Sequence, residues 1–553
     1  MATDELVFVA LGGVGEIGMN LGVYGYGPPQ KRQWLAVDCG IAFAGPELPG
    51  IEVIYPDPAF LEREKSRLLG IVITHAHEDH YGALPAIWPR LGAPVFASPF
   101  TAGLIEAKRE SEHDYPDFPV SLVRPGDRRT IGPFEVEFIA VTHSIPEPMA
   151  LAIHTPLGTV VHTGDWKFDD APLIGPSTDK DRLRALGDEG VLALVCDSTN
   201  AVRPGRSPSE GAVADELKAL VAESTGRVAF TLFASNVARL QSIARAANAA
   251  GREVVVAGRA LWRAIEVSTE LGYLDGLRFH EAGILNELPA DNVVLVLSGS
   301  QGESRAALAR IAAQEHPQVR LSRGDRVVFS SRAIPGNERA IYDIMNRLVA
   351  QGIDVVTDHD RLVHVSGHPR RDELAELYDL VRPRIVVPVH GEATHLAAQR
   401  ELARASGVSM VLDAPNGTLA RLAPQPGTQP NATPVGRLYR DGTVVGPAEE
   451  LGVAERRRMA FGGHIVVAIN LDGRGEVVGE FEYDLLGIPE RGPDGKSMSS
   501  LVERAVAGAL SGIPRPRRRD PDLVSEAVRR AVRGEVATVW GKKPVCTVLV
   551  AVV

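Results

Sequence analysis

The stretch His75-Ala76-His77-Glu78-Asp79-His80 places four possible metal ligands within six residues. Residues 69–74 before it are apolar and β-branched, which predicts a buried strand. The strand end can hold His75 and His77, and the loop beyond it can turn Asp79 and His80 toward a second ion. Imidazole and carboxylate suit Zn, Mn or Fe, whereas thiolates are typical of structural zinc. The stretch therefore predicts a metal site at the end of a strand.

Three further apolar runs read as strands, and each delivers one possible ligand at its end. Few protein ligands per ion leave positions open for water and substrate, as a catalytic site requires. Two such ions, roughly 3.5–4 Å apart, could clamp both oxygens of a phosphoryl displacement. The runs are residues 134–142, 158–164 and 384–389, which deliver His143, Asp165 and His390. The predicted arrangement is His75, His77 and His143 on one ion and Asp79, His80 and His390 on the other, with Asp165 between them.

The hexapeptide resembles the HxHxDH motif of the metallo-β-lactamase superfamily. Asp38, His143 and Asp165 match the first, third and fourth motifs of that superfamily. The resemblance implies an α/β protein built on the metallo-β-lactamase αββα sandwich, with its metal ligands at the ends of strands.

Three later positions narrow the resemblance to the β-CASP nucleases. Asp197, His368 and His390 look like the A, B and C motifs of that group, in which a His at the third position goes with RNA substrates. Segments 13–20 and 298–303 are similar to the ribonuclease J family in particular. The resemblance implies an inserted, doubly wound β-CASP domain and a small α/β domain at the C-terminal end.

The pattern along the chain predicts a split first domain. Strand–helix–strand alternation begins near residue 210, which is typical of a doubly wound domain. We expect residues 1–208 and 363–450 to form the metallo-β-lactamase domain and 209–362 to form the insertion. A charged linker is expected at 451–464, before a C-terminal α/β domain at 465–553 that is a candidate for oligomerisation. In that domain we expect a β pair at 465–471 and 477–483, helices at 498–511 and 520–534, and a strand at 545–553.

Four residues are expected to take part in phosphodiester hydrolysis. Asp79 would orient the attacking water, and His368 would contact the scissile phosphate or protonate the leaving oxygen. Asp38 and Asp197 are expected to hold ligand imidazoles in the required tautomer. We expect two divalent ions per subunit, Zn or Mn, which would lower the pKa of the water and stabilise charge on the phosphoryl oxygens.

The family resemblance implies a 5′-to-3′ exonuclease that prefers 5′-monophosphate ends and also cuts internally, in RNA maturation and decay. Such an enzyme needs a pocket for the terminal phosphate. Ser235 and Asn236 precede a predicted helix and offer donors at its N-terminus. The segment His364-Val365-Ser366-Gly367-His368 offers more, and Gly367 would let a phosphate approach the backbone closely.

The N-terminal glycines also match a dinucleotide-binding motif. Residues 13–18 spell G-x-G-x-x-G after an apolar run, and Asp38 lies twenty residues beyond Gly18. That fold requires a helix between them. Residues 21–30 instead contain three Gly and two Pro, which cannot support a stable helix. The segment predicts a strand and a hairpin turn.

Three other function classes fit parts of the pattern. A small-molecule metallohydrolase of the same fold would be shorter and would lack the insertion. An endonuclease acting at RNA 3′ ends would differ in the polarity of its products. A non-enzymatic RNA-binding scaffold conflicts with the complete set of ligands.

Composition is compatible with a large cytoplasmic enzyme that has no membrane segment. The 553 residues exceed what one core can bury, and three cysteines far apart predict no disulfide framework. The net charge of −11 argues against nonspecific coating of nucleic acid, but arginines cluster at 323–339 and 361–371. We expect a local basic channel for RNA. The family resemblance also suggests a homodimer or homotetramer and degradosome-like RNA decay partners.

Overall fold

A computed structural model describes residues 3–334 and 336–553. These residues form two compact units. The first comprises the chain up to Phe43 together with Ile54–Arg437, and the second comprises Ala44–Val53 together with Leu438–Val553.

The first sheet of the larger unit has eight strands and takes its members from both ends of that unit. Its central strands are almost fully buried, because one face packs on the second sheet. In spatial order the strands are Gly427–Gln429, Leu419–Ala423, Glu5–Gly12, Leu21–Gly27, Gln33–Val37, Leu68–Val72, Val95–Ala97 and Val120–Leu122.

The second sheet has seven strands and faces the first across a shared core of Phe8, Tyr24, Phe138 and Val195, among others. Its opposite face is covered by three helices, Lys180–Glu189, Arg371–Val381 and Ala393–Ala405. In spatial order its strands are Met410–Val411, Ile385–Val389, Val191–Asp197, Gly158–His162, Met149–Thr155, Phe134–Ala140 and Arg128–Ile131.

Both sheets combine strands from before residue 200 with strands from after residue 384, so this sandwich is built from two separated parts of the chain. Shorter elements connect the strands of its first part. They are the strands Ala42–Phe43 and Val53–Pro56, the helices Ala59–Arg63, Glu78–Tyr81, Leu84–Leu91 and Pro99–Ser111, and the 3₁₀ turn Lys65–Arg67.

The chain between the two parts of the sandwich forms a third sheet, which has six parallel strands. Parallel strands are buried on both faces by their crossover helices, which explains continuous apolar runs such as Val293–Leu297. In spatial order the strands are His280–Glu281, Glu253–Ala257, Val293–Leu297, Val228–Thr231, Arg326–Phe329 and Asp354–Val356. The helices are Glu210–Glu223, Val237–Ala249, Arg259–Glu270, Ala307–Ala312 and Glu338–Ala350, with 3₁₀ turns at Ala282–Glu287 and Ala290–Asn292.

The smaller unit differs from its predicted pattern in three places. The expected linker is a helix, Val453–Gly462, because its Ala, Glu and Arg residues are good helix formers. The second tail strand is Glu482–Leu486 rather than 477–483, since Asp472 accepts hydrogen bonds that close a turn and Gly479 has φ +76°. The second tail helix is Pro521–Trp540, longer than predicted, because valines spaced four residues apart stay buried along it.

The remaining elements of this unit follow the expected order. A three-stranded sheet packs on two helices through a core that includes Ile465, Val502 and Val528. The strands of this sheet are, in spatial order, Glu482–Leu486, His464–Leu471 and Val545–Val552. The other elements are the strands Arg437–Asp441 and Val444–Gly446, the helix Met498–Gly512 and the 3₁₀ turn Arg515–Arg519. Among the helices of the described residues, none combines the length and the apolar character needed to span a membrane.

Candidate metal centre

The candidate ligands meet because their strands run in the same direction. In the seven-stranded sheet, the strands ending before His143, Asp165 and His390 all point the same way, so their carboxyl ends lie at one edge. In the facing sheet, the strands before Asp38 and His75 are parallel neighbours. The two sheets therefore deliver these side chains to one end of the sandwich.

Asp79 and His80 lie on a short helix rather than on the loop expected from the sequence. The helix Glu78–Tyr81 follows His77, and the N–H groups of Cys39 and Ile41, on either side of Gly40, donate to its His80 and Glu78 carbonyls at 2.6 and 3.0 Å. An added Cβ at Gly40 would stand 1.6 Å from the Asp79 carbonyl oxygen, so only glycine allows this approach. One helical turn places both side chains toward the edge where the strands end.

The first group of donors is His75, His77, His143 and Asp165, whose ligand atoms lie within 4.8 Å of one another. His77 Nδ1 is 3.1 Å from His75 Nε2 and 3.1 Å from His143 Nε2. Burial lowers the pKa of His75 and His77 well below the ordinary value and that of His143 to about 3. These rings are therefore neutral and offer lone pairs, as metal ligands must.

The second group is Asp79, His80, Asp165 and His390, within the same distance of one another. Asp165 Oδ2 lies 3.2 Å from His80 Nε2 and 3.1 Å from His390 Nε2. Asp79 Oδ2 is 3.7 Å from each of these two nitrogens. Burial opposes the charged form of His80, but Asp165, Asp79 and Asp38 together raise its pKa well above the ordinary value.

Asp165 belongs to both groups, and its second oxygen favours metal at this site. Asp165 Oδ1 is buried and has no hydrogen-bond partner among the described residues. A buried carboxylate oxygen without a partner is costly unless something binds it. With five imidazoles and two carboxylates converging and no thiolate among them, the donor set fits divalent cations of borderline or hard character. All seven predicted ligands are thus brought together.

Asp38 lies beneath the hexapeptide and is 2% exposed. His80 Nδ1 donates to its Oδ2 at 2.7 Å, which leaves Nε2 free on the site side. The Thr74 backbone N–H and hydroxyl donate to the same carboxylate at 2.8 and 3.0 Å. Asp38 has φ +65°, and His390 has φ +52°, a left-handed conformation that is uncommon for residues other than glycine. The fold thus holds strained backbone at two positions of this site.

Asp197 accepts a hydrogen bond from His368, whose Nδ1 donates to Asp197 Oδ2 at 2.8 Å. The sequence predicts that Asp197 holds a ligand imidazole, and both residues belong to a third group of possible metal donors, with Asp165 and His390. The other Asp197 oxygen accepts from the Thr199 backbone and hydroxyl at 2.8 and 2.7 Å. Burial opposes protonation of His368, but Asp197 and Asp165 raise its pKa to about 9. Asp197 and His368 lie next to the two groups of metal donors that share Asp165, and His368 Nδ1 is 3.9 Å from Asp165 Oδ2.

Gly367 has a role that the sequence did not suggest. Its carbonyl accepts a hydrogen bond from His143 Nδ1 at 2.7 Å, which sets the tautomer of that ring. A Cβ at Gly367 would stand 2.4 Å from the same nitrogen. Glycine is therefore required here for packing against His143, in addition to the predicted close approach of a phosphate.

The other candidates for a phosphate pocket lie on neighbouring segments. Asn236 caps the helix Val237–Ala249 by accepting from Arg239 N at 2.9 Å, and its side chain is buried, as is that of Val365. Ser235 is half-buried. Arg239 joins the two segments, because it donates to the Val363 carbonyl at 2.8 Å, one residue before His364.

His364 and Ser366, the remaining two candidates for the phosphate pocket, each have a polar atom that is not fully hydrogen-bonded. His364 is half-buried, and its Nδ1 has no hydrogen-bond partner among the described residues. Burial and the charges of Arg239 and Arg332 hold its pKa well below the ordinary value. The Ser366 hydroxyl oxygen accepts from Asn200 Nδ2 at 2.8 Å, so its own hydrogen remains free to donate.

Asn20 is a site residue that sequence reasoning did not single out for a role. Its Nδ2 lies 3.1 Å from His80 Nε2 and 3.0 Å from the Asp79 carbonyl oxygen, which accepts from it. It reaches the centre from the glycine-rich loop, which also bonds to the segment after His390 through Gly15 N and Gly391 O at 2.9 Å. The G-x-G-x-x-G stretch is therefore part of the wall of the metal centre, with strands on either side of it.

Four family models match the chain. The model of the metallo-beta-lactamase superfamily matches residues 30–259, and that of the Ribonuclease J beta-CASP domain matches 225–348. The Zn-dependent metallo-hydrolase RNA specificity domain matches 352–412, and the Ribonuclease J C-terminal domain matches 451–553.

Several relatives match nearly the whole chain. Ribonuclease J of Sinorhizobium meliloti is 54% identical over 552 residues, which cover 100% of this chain and 98% of the relative. Ribonuclease J of Mycolicibacterium smegmatis is 38% identical, covering 98% and 97%. Ribonuclease J of Thermus thermophilus is 36% identical, covering 84% and 82%.

One solved structure resembles this chain in fold alone. It is a protein of unknown function from Enterococcus faecalis V583, with a TM-score of 0.52 and 15% identity over 75% of this chain and 100% of its own.

Proposed function

Because the chain belongs to the ribonuclease J family of metal-dependent ribonucleases, we propose that it removes nucleotides from the 5′ end of RNA, prefers a 5′-monophosphate, and also cuts internally. The observation that carries this proposal is the pair of donor groups sharing Asp165, next to His368 and the segment 364–367. The donor groups and His368 then bind the scissile phosphate, and the segment 364–367 binds the 5′ end of the RNA. We propose a role in RNA maturation and decay.

We propose that two divalent ions per subunit, Zn or Mn, are held by His75, His77, His143, Asp165, Asp79, His80 and His390. When bound, such ions supply Lewis-acid stabilisation of phosphoryl charge and activate water near neutral pH. The residues of the chain prepare the site for them. Asp38 keeps the His80 Nε2 lone pair directed at the site, and the Gly367 carbonyl does the same for His143 Nε2.

His368 is the residue that we assign to the scissile phosphate or to the leaving oxygen. Its Nδ1 is engaged by Asp197 at 2.8 Å, so Nε2 is the ring nitrogen left for substrate. A positioned imidazole of this kind can donate a hydrogen bond to a phosphoryl oxygen or a proton to the departing group. Asp79, on its helical turn, is assigned to orient the attacking water.

The terminal phosphate is assigned to Ser235, Asn236 and the segment 364–367. The N-terminus of the helix Val237–Ala249 supplies a favourable dipole for an anion, while its Val237 and Arg239 N–H groups already donate to the Ser235 carbonyl and the Asn236 side chain. Ser366 adds a hydroxyl with a free hydrogen, and His364 adds a ring nitrogen without a partner. A 5′-hydroxyl end would leave the Ser366 hydroxyl hydrogen unpaired and the helix N-terminus without an anion, which is why the monophosphate end is preferred.

The smaller unit is assigned to self-association, as a homodimer or homotetramer. The outer face of its sheet exposes large apolar side chains, with Leu549 57% and Leu486 55% exposed. An open apolar sheet face of this kind favours a protein interface. Cytoplasmic RNA decay proteins of the degradosome type are proposed as further partners.

Asn236→Asp tests the terminal-phosphate assignment without removing the helix cap, because Asp caps helices as well as Asn. The added negative charge should repel the phosphate and reduce the preference for monophosphate over hydroxyl ends about tenfold or more. Ser497→Asp makes the same charge change at the cap of a tail helix and serves as the control. An unchanged preference in Asn236→Asp would remove this helix from the pocket.

A further inference from the structure

Three arginines that have no role in the proposed function lie on segments that are hydrogen-bonded to, or continuous with, residues 363–368. Arg203 follows Asn200, whose side chain donates to Ser366 Oγ at 2.8 Å and to the His368 carbonyl at 3.2 Å. The Arg203 carbonyl accepts from the backbone N–H of Arg371 at 3.0 Å, immediately after Arg370. Hydrogen bonds therefore fix two of these arginines to the end of the 364–368 segment.

The third arginine approaches the same segment from the six-stranded sheet. Arg332 follows Ser330, whose hydroxyl donates to the Val363 carbonyl at 2.7 Å. Its charge is close enough to His364 to lower the pKa of that ring. Arg203, Arg332 and Arg370, which we call the arginine cluster, thus lie around the candidate pocket for a terminal phosphate.

The arginine cluster carries more positive charge than its neighbours neutralise. Arg203 and Arg370 make no ion pair among the described residues, and Arg332 has one loose contact, 3.8 Å to Asp358. The Nε of Arg370 is buried without a hydrogen-bond partner. Burial, together with repulsion from Arg332 and Arg370, lowers the pKa of Arg203. Burial also lowers the pKa of Arg332, where the attraction of Asp358 exceeds the repulsion from Arg370.

Four other basic side chains in this part of the molecule are neutralised. The fully buried Arg239 pairs with Glu210 at 2.9 Å, and Lys167 pairs with Asp169 at 2.9 Å. Arg326 and Arg361, which the sequence grouped into a basic channel, both pair with carboxylates, including Glu223. The arginine cluster therefore differs from these four basic side chains in keeping its charge without a close carboxylate partner.

Half-buried guanidinium groups that repel one another are costly without an anion. Their planar, fork-shaped donors match phosphate oxygens. We propose that the arginine cluster is a second phosphate-binding site, which takes an RNA phosphoryl group lying 5′ of the one held at residues 364–367. This inference rests on the proposed function, because it takes that segment to hold the terminal phosphate of an exonuclease substrate.

Two kinds of RNA would supply such a phosphoryl group. One is a 5′-polyphosphate end, whose β-phosphate extends beyond the terminal position. The other is a chain that continues upstream, as in internal cutting, where the next internucleotide phosphate extends there. Both present the same chemistry to the guanidinium groups, and the experiment separates them.

The test compares the affinity of the metal-loaded enzyme for three RNAs of one sequence, in which a methylenephosphonate replaces the bond to be cut. The first RNA ends in a 5′-monophosphate, the second in a 5′-triphosphate, and the third has one more 5′-nucleotide. We expect the wild type to bind the second or the third about tenfold tighter than the first. In Arg332→Gln with Arg370→Gln, that ratio should fall to about one. In Arg332→Lys with Arg370→Lys, part of it should remain.

Arg206→Gln is the matched control, since Arg206 is on the same loop as Arg203 but pairs with Glu376 at 2.6 Å. It should keep the wild-type ratio. The proposal is overturned if the wild type gains nothing from either longer end, if the Gln double variant keeps the ratio, or if it loses affinity equally for all three RNAs. A gain with the triphosphate alone identifies the chain end as the source, and a gain with the added nucleotide alone identifies the upstream chain. Failure of the proposed exonuclease function is seen separately, as absence of stepwise removal from the cleavable 5′-monophosphate RNA.

Discussion

Asp38→Asn isolates the hydrogen bond by which Asp38 controls His80. Asn has nearly the same size and also tolerates the left-handed backbone conformation, so φ +65° adds no new strain. The amide can no longer accept from both His80 Nδ1 and the Thr74 donors with full negative charge. We expect the imidazole to turn its Nδ1 lone pair toward the amide, which places a proton on Nε2 and removes its ligand lone pair.

The size of the effect follows from the buried position of the contact. Loss of a partner that orients a metal-bound histidine costs about 10- to 100-fold in metal affinity, or about 1.4 to 2.8 kcal/mol. The loss should fall on the ion held by His80, Asp79 and His390, since His80 is the only candidate ligand among the described residues that is shown to hydrogen-bond directly to Asp38. A competition titration against a chromophoric chelator measures the two affinities separately.

Asp197→Asn is the matched control, because it makes the same chemical change at the residue that orients His368. It should retain metal and lose turnover, whereas Asp38→Asn should lose one ion. Wild-type affinity for both ions in Asp38→Asn would refute the tautomer argument. Equal loss of metal in the two variants would refute the separate roles given to Asp38 and Asp197.

Three further outcomes are expected. Gly367→Ala should lower metal content and turnover at least about tenfold, because its Cβ would stand 2.4 Å from His143 Nδ1; elemental analysis and kinetics measure both. Arg239→Met should destabilise the inserted domain by about 3–5 kcal/mol, since Glu210 is left buried without its partner, and adding Glu210→Leu should restore the melting temperature. Burial opposes ionisation of Glu137, but its arginine partners hold its pKa below 4.5. The stability it provides is therefore complete above about pH 4.5 and lost as the pH falls through the lowered value; Glu137→Gln should show a weaker acid dependence of melting.

The convergence of the candidate ligands could be predicted from the sequence because most of them follow a strand directly. A strand end is a local signal, and strands that run in the same direction bring distant ends such as His143 and His390 to one edge. The same reasoning could not find Asn20, whose contact with His80 spans sixty residues of chain and depends on how a glycine-rich loop packs. Nor could it show that Gly367 lies against His143, 224 residues away.

The errors in the smaller unit have local causes. Val477 forms an isolated antiparallel bridge with Leu471, but Gly479 at φ +76° interrupts the pairing, so the continuous ladder begins only at Glu482. In the larger unit, closeness in sequence groups the arginines at 323–339 and 361–371, although ion pairs decide which of them remain available to bind RNA. Sequence reasoning therefore does not find Arg203. It does include Arg361, which Glu216 and Glu223 neutralise.

The most direct test of the central claim uses one RNA labelled at its 3′ end, with either a 5′-monophosphate or a 5′-hydroxyl. The RNA is incubated with the protein and Mn or Zn, and the products are resolved at single-nucleotide resolution over time. For a 5′-to-3′ exonuclease that prefers a 5′-monophosphate, we expect a descending ladder that forms faster from the monophosphate end. Discrete internal cuts at the same rate from both ends would contradict it, and the terminal-phosphate assignments would have to be withdrawn.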